Sequence, residues 1–210
     1  MSTWVRDRRT DRIVTTLTGF EAEVLRSLAG QLVELLHNES ALPSGTRDPL
    51  EELLDFSGPT TEPDDPVLAR LFPSAYNDDD EAAAEFRRFT EGTLRDAKSA
   101  GASLIIDKLE EAGLPPILSQ EGLIIDVELT TSEATSWLKS FTDLRLALAS
   151  RLGIEEGDED YWNTLEASFE QDGDDDEREG VDSELSHTLK VYDIYQWLGW
   201  LQESLVQALS

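Results

Sequence analysis

The sequence predicts a mainly α-helical, bundle-like protein that forms a single domain over residues 1–210 and carries a small N-terminal antiparallel β-hairpin. Three observations support this fold class. Apolar residues recur at helical spacing in several long segments, capping motifs precede these segments, and the β-prone runs are short. The chain of 210 residues is long enough to bury one core, although only 39% of it is hydrophobic. We expect five to seven helices.

Two short β-prone runs open the chain. Residues 4–6 and 13–17 flank a polar tip, a pattern that predicts a hairpin. Thr18 and Glu21 then form a capping box, in which each side chain satisfies a backbone amide at a helix start. The helix that follows ends before the break at 42–45, and its apolar stripe consists of Val24, Leu25, Leu28, Leu32, Leu35 and Leu36.

The middle of the chain carries further helix starts. An Asp precedes a Pro at the first helical position twice, which predicts short helices over 49–55 and 66–71. A run of capping residues at 77–80 then opens a long helix over about 81–112. Its apolar positions include Phe86, Phe89, Leu94, Ile105, Ile106 and Leu109, and it contains two glycines that are weak points, Gly92 and Gly101.

A strand and a second capped helix come next. Residues 123–129 are β-branched and partly alternating, so we expect a strand that can extend the hairpin to three strands. Thr130 and Glu133 form a second capping box, which opens a helix to Leu152 with Gly153 as its C-cap. The predicted buried stripe of this helix is Trp137, Phe141, Leu144, Leu148 and Leu152.

Half of the net charge lies in one acidic stretch. The chain has a formal net charge of −28, and residues 155–184 contain 15 acidic residues and one arginine. Like charges at this density repel one another, so we expect an acidic, partly flexible insertion at about 155–184. Within it we expect a short helix over 161–169 and irregular structure over 172–184.

The acidic stretch carries an incomplete calcium motif. Asp172, Asp174 and Asp176 occupy positions 1, 3 and 5 of a calcium loop. The sixth position, which requires glycine, is Glu177, and the twelfth, which requires a bidentate glutamate, is Ser183. We therefore expect no metal site, and the sequence predicts no cofactor.

The composition also argues against several catalytic classes. The chain contains no cysteine, which excludes disulfides, thiolate catalysis and cysteine zinc sites. His37 is placed as a cation near a helix C-terminus and His187 as a surface residue, and no phosphate-binding loop or nucleophile elbow occurs. We expect a protein that is not an enzyme.

Charge and hydropathy indicate the cell compartment and the kind of partner. No apolar run is long enough for a membrane span, and the first residues lack the apolar core of a signal peptide, so we expect a cytoplasmic protein. A surface this negative repels phosphate backbones and anionic lipids, so we expect neither direct nucleic-acid binding nor membrane binding. The basic cluster is predicted to be a solvated turn, with Asp7 and Asp11 between its members Arg6, Arg8, Arg9 and Arg12.

The last helix, from about Ser186 to Leu209, has an unusually broad apolar arc. The arc comprises Val191, Ile194, Tyr195, Leu198, Leu201, Leu205 and Leu209, and Trp197 and Ala208 widen it. Tyr192 and Trp200 fall outside the arc. Such a helix is either central to the core or presents a second face to a partner, and both interpretations stay open. The candidate partner-binding residues are Tyr192, Trp197 and Trp200.

Four blocks of the sequence resemble those of a known family: residues 21–28 (EAEVLRSL), 65–73 (DPVLARLFP), 137–148 (including Trp137-Leu138 and DLRLAL) and 197–202 (WLGWLQ). The chain is similar to an actinobacterial family long described as a domain of unknown function and now labelled after the oxidative stress regulator AosR. The resemblance covers nearly the whole chain outside the acidic stretch. It implies a cytoplasmic transcriptional regulator that works with an extracytoplasmic-function sigma factor.

The implied regulation is linked to cysteine oxidation, and a chain without cysteine cannot use a thiol switch. The acidity suits contact with a basic protein better than contact with DNA, so we expect a protein partner, such as a sigma factor or another basic protein. A homodimer is also compatible with the sequence. Two alternatives stay open: a structural or scaffolding protein, and an enzyme of a kind that the sequence does not reveal.

Overall fold

The structure is a computed structural model that describes residues 2–38, 58–76, 78–117, 122–154 and 181–210. Four features predicted from the sequence lie wholly or mostly outside these ranges: the short helix over 49–55, the acidic, partly flexible insertion at about 155–184, the short helix over 161–169 and the calcium-loop positions at 172–176. The described residues form a mainly helical fold with a small N-terminal antiparallel sheet, as the sequence predicts.

Three strands and five helices make up the described part of the chain. The strands are β1 (Val5–Arg6), β2 (Ile13–Thr18) and β3 (Ile124–Leu129). The helices are α1 (Gly19–Asn38), α2 (Pro66–Leu71), α3 (Asp80–Glu111), α4 (Thr131–Leu152) and α5 (Val181–Leu209). The long helix α3 runs through both of its glycines without interruption.

The sheet has the order β1-β2-β3 and is antiparallel throughout. The predicted third strand is confirmed, since Ile13 pairs with Leu129 and Leu17 with Ile125. Alternate side chains point to one face, and that face is buried in the core. The core-facing residues are Ile13, Thr15 and Leu17 of β2 and Ile125, Val127 and Leu129 of β3.

Short-range capping fixes where three of the helices begin. The Thr18 amide donates to the Glu21 carboxylate at 2.7 Å, and the Glu21 amide donates to the Thr18 hydroxyl at 3.2 Å. Thr130 and Glu133 form the same reciprocal box before α4. The Asp65 carboxylate accepts hydrogen bonds from the first amides of α2. Each of these starts is confirmed because the contact spans only two or three residues.

The core centres on α4, which packs against α2, α3 and α5. Its two aromatic residues form an edge-to-face chain with the N-terminal segment. The rings of Trp4 and Trp137 lie 5.4 Å apart, and those of Trp137 and Phe141 lie 5.8 Å apart. All three side chains are buried, so the aromatic chain joins the sheet end of the molecule to the helices.

The first half of α3 buries charge instead of apolar side chains. The Glu91 carboxylate accepts hydrogen bonds from two arginines. The Arg87 guanidinium lies 2.7 Å from one carboxylate oxygen, and the Arg95 guanidinium lies 2.7 Å from the other. The Arg87 guanidinium also donates to the Phe72 carbonyl, and Arg95 donates to the Leu36 carbonyl. Because the charges satisfy one another and the main chain, this ionic cluster can replace an apolar interface with α1 and the end of α2.

As a consequence, three apolar residues of α3 point outward. Phe86, Phe89 and Leu94 are exposed, whereas Ile105 and Leu109 in the second half of the helix are buried. The helix therefore changes the character of its buried face along its length, from ionic to apolar. Helical periodicity cannot predict such a change.

The start of α5 corrects one prediction. The sequence predicts irregular structure over 172–184 and a helix start near Ser186, but α5 begins at Val181. The backbone over 181–184 is therefore helical, so a high density of acidic residues in the sequence is not enough to exclude a helix there.

Candidate protein-interaction site

The last helix buries the face that the sequence predicts. Leu198, Leu201, Leu205 and Ala208 are buried in the main core. Ser204 is buried beside them, and its hydroxyl accepts a hydrogen bond from the Trp4 amide at 3.3 Å. The helix packs along α4 and also contacts β1. One face of α5 is therefore committed to the fold, and a binding surface on this helix has to use another face.

Tyr192 does not belong to such a surface. The sequence places it outside the buried arc, and this prediction is wrong, because the side chain is only 1% exposed. It packs in a small second cluster with Ala149 and Ile154, and its ring stacks on that of Tyr195. After α4 the chain places Ile154 in contact with α5. This contact buries a side of α5 that lies outside the apolar arc of the helix.

Trp200 does lie on the surface, as the sequence predicts. Its side chain is 45% exposed, and its indole nitrogen donates to the Ser2 carbonyl at 3.2 Å. The hydrogen bond holds the ring against the N-terminal segment. The indole is thus both accessible and oriented, which is favourable for a residue that anchors a partner.

Trp197 lines an apolar groove between the start of α1 and α5. The groove has a volume of about 220 Å³, and its apolar lining consists of Phe20, Val24, Ile194 and Trp197. Phe20 is 70% exposed, the most exposed aromatic side chain in the described residues. A groove of this size holds one or two apolar side chains of a partner. The structure therefore brings Trp197 together with Phe20, which sequence reasoning missed.

A signal for Phe20 exists in the sequence. Phe20 and Val24 are four residues apart, so they form a second apolar row on α1 beside its buried stripe. The buried stripe itself is centred on Leu25, Leu32 and Leu36, and Val24 lies at its edge, half-buried. An exposed apolar residue beside the edge of the buried stripe, as Phe20 is beside Val24, is a sign of a binding surface at a helix start.

Two carboxylates make the groove negative. Burial raises the pKa of Glu21, but hydrogen bonds from Thr18 and Ser2 outweigh burial and lower the pKa below its ordinary value. Glu21 is thus ionised and occupied by intramolecular bonds. Asp193 also lines the groove and is exposed to solvent. An apolar floor with negative charge beside it suits an apolar side chain flanked by a basic one.

The other sequence candidates do not assemble into a site. His37 lies in the last turn of α1, within 3.5 Å of the Ser99 hydroxyl, and His187 is exposed on α5. In the described ranges, no group of three or more His, Cys, Asp or Glu side chains is arranged to hold a metal ion. No helix in the same ranges is long and apolar enough to cross a bilayer.

The basic cluster at the hairpin tip is a turn stabilised by its own acids. The Arg6 guanidinium pairs with Asp11 at 2.8 Å, and Asp7 accepts hydrogen bonds from the Arg9 amide and the Thr10 hydroxyl. Arg12 lies 4.0 Å from Glu133 at the start of α4. These pairs partly neutralise the cluster, in agreement with the prediction of a solvated turn.

Comparison with known proteins gives one family and several relatives. The sequence model of a family described as a domain of unknown function, DUF2017, matches residues 1–209. Proteins named "Oxidative stress regulator AosR" from Mycobacterium tuberculosis and Mycobacterium bovis are 32% identical, covering 98% of this chain and 85% of theirs. A "Putative oxidative stress regulator AosR" from Mycobacterium leprae is 32% identical over 94% of this chain and 82% of its own. No solved structure gives a significant match.

Proposed function

Because the chain belongs to the DUF2017 family and its mycobacterial relatives are named oxidative stress regulators, we propose that it is a cytoplasmic, non-enzymatic regulator that acts by binding another protein. The family membership confirms the resemblance of the four sequence blocks. The partner we propose is a basic protein, such as a sigma factor, through which the chain regulates transcription without contacting DNA itself.

The observation that carries this proposal is the apolar groove on a strongly acidic molecule. The groove offers exposed Phe20 and half-buried Trp197, with Trp200 exposed three residues further along α5. Aromatic side chains of this kind contribute much of the binding energy in protein interfaces. In the free molecule their exposure has no benefit for stability, which favours a role in binding.

The net charge of −28 supports a basic partner. Opposite charges steer a partner toward the surface and accelerate association, and salt screens this attraction over a Debye length of about 8 Å at physiological ionic strength. The same charge opposes contact with phosphate backbones. The regulator would therefore act on a DNA-binding protein and not on the promoter.

Any response to oxidative stress has to use something other than a thiol of this chain, since it contains no cysteine. Under the proposal, the partner or the abundance of the chain carries the signal. The chain itself supplies a stable, negatively charged surface with an apolar groove. This division of roles needs no chemical change in the described residues.

The test is a binding experiment with purified sigma factors from the same host. The tagged chain is immobilised, and each sigma factor is applied at about 50 mM and about 500 mM salt, a range over which screening changes strongly. We expect saturable binding at low salt that weakens at high salt. The variant Phe20→Ser should bind at least about tenfold more weakly.

The matched control is Val206→Ser, which changes an exposed apolar residue on the outer side of α5. It should bind as the unchanged chain does. If no sigma factor binds, or if Phe20→Ser and Val206→Ser bind equally well, the groove is not the contact. Tight binding of the chain alone to promoter DNA would overturn the charge argument.

A further inference from the structure

The first half of α3 presents an apolar stripe to solvent, separate from the groove. We define the α3 stripe as Ala82, Phe86, Thr90, Thr93, Leu94 and Ala97. At 100° per residue these positions fall within an arc of about 120°, and no charged residue of 82–97 lies in that arc. Phe86 is 46% exposed and Leu94 is 47% exposed. This half of α3 thus carries an exposed, uncharged stripe beside a buried ionic cluster.

The inverted arrangement is fixed by the fold. The inward side of α3, which adjoins the stripe at Leu94, holds the ionic cluster of Arg87, Glu91 and Arg95, which is bonded to the carbonyls of Phe72 and Leu36. Turning the stripe inward would break this buried cluster, at a high cost in stability. The stripe therefore cannot be buried by a simple rotation of the helix.

An exposed aromatic pair extends the stripe. The rings of Tyr76 and Phe86 meet edge to face with their centres 6.0 Å apart, and Tyr76 is exposed as well. Each ring restricts the other, so the pair loses little side-chain entropy when a partner packs on it. A restrained aromatic pair about two turns from Leu94 on the same stripe is a suitable surface for a helix to pack against.

The charges beside the stripe indicate which kind of helix. Three exposed carboxylates lie along one flank of the stripe, those of Glu81, Glu85 and Asp96. Arg88 lies on the same flank, so the flank keeps a net negative charge. Asp78, Asp79 and Asp80 add negative charge at the N-terminal end of the helix. A partner that packs on the stripe meets these carboxylates with the residues that border its own apolar face.

We propose that the α3 stripe binds an amphipathic helix whose apolar seam is bordered by lysine and arginine. The spacing of the stripe, with steps of three and four residues, is that of a seam between two packed helices. A second copy of this chain fits less well, since the same acidic flanks would face each other in a symmetric pair. This surface goes beyond the proposed function, because it lies on α3 and uses no residue of the groove.

The probe is a synthetic helical peptide with a leucine seam bordered by lysines, labelled with fluorescein. Its matched control has the same leucines and a glutamate in place of every lysine. Fluorescence anisotropy with the full chain gives the dissociation constant. We expect the basic peptide to bind and the acidic peptide not to bind, with binding of the basic peptide weaker at high salt.

Two substitutions that do not change the charge distinguish binding at the stripe from attraction by the net charge of the chain. Phe86→Ser and Leu94→Ser leave the net charge unchanged, and each should weaken binding of the basic peptide about tenfold or more. Val206→Ser and Trp200→Ala, which lie on α5, should leave that binding unchanged. Because both stripe residues are half-exposed, their variants should melt near the temperature of the unchanged chain.

Equal binding of the basic peptide to all four variants would overturn the proposal, as would equal binding of the two peptides. Loss of the peptide in Trp200→Ala but not in Phe86→Ser would assign it to the surface of α5 at Trp200 and would likewise overturn the proposal. Sedimentation velocity tests whether a second copy of the chain occupies the stripe. A dimer of the unchanged chain that Phe86→Ser abolishes would show that a second copy occupies the stripe, and would also overturn the proposal.

Discussion

Gly101 of α3 faces Ser140 of α4 so closely that a β-carbon added at Gly101 would lie 2.7 Å from the Ser140 hydroxyl oxygen. Ser140 is buried, and its hydroxyl donates to the Ser136 carbonyl at 3.2 Å. Helices α3 and α4 therefore cross at a point where one of them has no side chain.

We expect Gly101→Ala to lower the free energy of unfolding by about 1–3 kcal/mol, because the new methyl group overpacks the crossing. Ser140→Ala removes the obstructing oxygen. The double variant should regain the loss and benefit by up to about 1 kcal/mol from the better helix propensity of alanine. Urea denaturation of the three variants measures the coupling, and purely additive effects would contradict a direct contact.

Trp200→Ala is expected to weaken partner binding by about 2 kcal/mol or more while changing the melting temperature little, because nearly half of the indole is exposed. Trp137→Ala is the contrasting variant. Its side chain is fully buried, so its loss should cost about 3–5 kcal/mol of fold stability. Calorimetry and a binding titration on the same preparations compare the two effects. A fall of many degrees for Trp200→Ala would make it a core residue.

The ionised carboxylate of Glu133 should stabilise the fold at neutral pH and lose this effect in strong acid. Burial raises its pKa, but hydrogen bonds from Lys108 and Thr130 outweigh burial and lower the pKa to about 2. A carboxylate with a depressed pKa stabilises the folded state above its unfolded pKa of about 4.3, and this contribution is lost as the pH falls toward 2. The stability difference between the unchanged chain and Glu133→Gln should thus shrink between about pH 5 and pH 2.

The control for that experiment is Glu111→Gln. Glu111 pairs with the same lysine, at 2.9 Å, but it is exposed and has no capping role. Its substitution should change stability little, as for other exposed ion pairs. Urea unfolding at a series of pH values measures both differences. A pH-independent difference for Glu133→Gln would contradict the depressed pKa.

Glu91→Ala is expected to destabilise the fold by about 3–5 kcal/mol, because it leaves the buried Arg87 guanidinium without its carboxylate. Glu85→Ala, six residues earlier on the exposed side of the same helix, should be nearly neutral. Thermal unfolding of both variants distinguishes the two positions. A loss below about 1 kcal/mol for Glu91→Ala would show that the carbonyl contacts of the arginines suffice.

Local motifs explain why most helix starts could be predicted from the sequence. The boxes at Thr18 and Thr130 and the cap at Asp65 depend on residues two or three positions away, so the sequence contains the whole interaction. The third strand was also predictable, because its alternation matches a sheet with one buried face.

Contacts between distant segments account for what the sequence could not predict. Tyr192 packs against Ala149 and Ile154, which lie about 40 residues earlier in the chain. The pattern of apolar residues within α5 contains no information about these contacts. The outward position of Phe86 depends on Arg87 reaching the Phe72 carbonyl in another element. Phe20 becomes part of a groove only because Ile194 and Trp197 arrive beside it.

The contact between Trp4 and Ser204 has a consequence for how the protein is made. The two residues are 200 positions apart, and the Trp4 amide and the Ser204 hydroxyl are joined in a buried hydrogen bond. During translation the N-terminal segment emerges well before α5, which follows it by about 180 residues. Contacts of such long sequence separation form slowly because loop closure costs entropy before they contribute. The Trp4 amide therefore lacks this hydrogen-bond partner until α5 has left the ribosome.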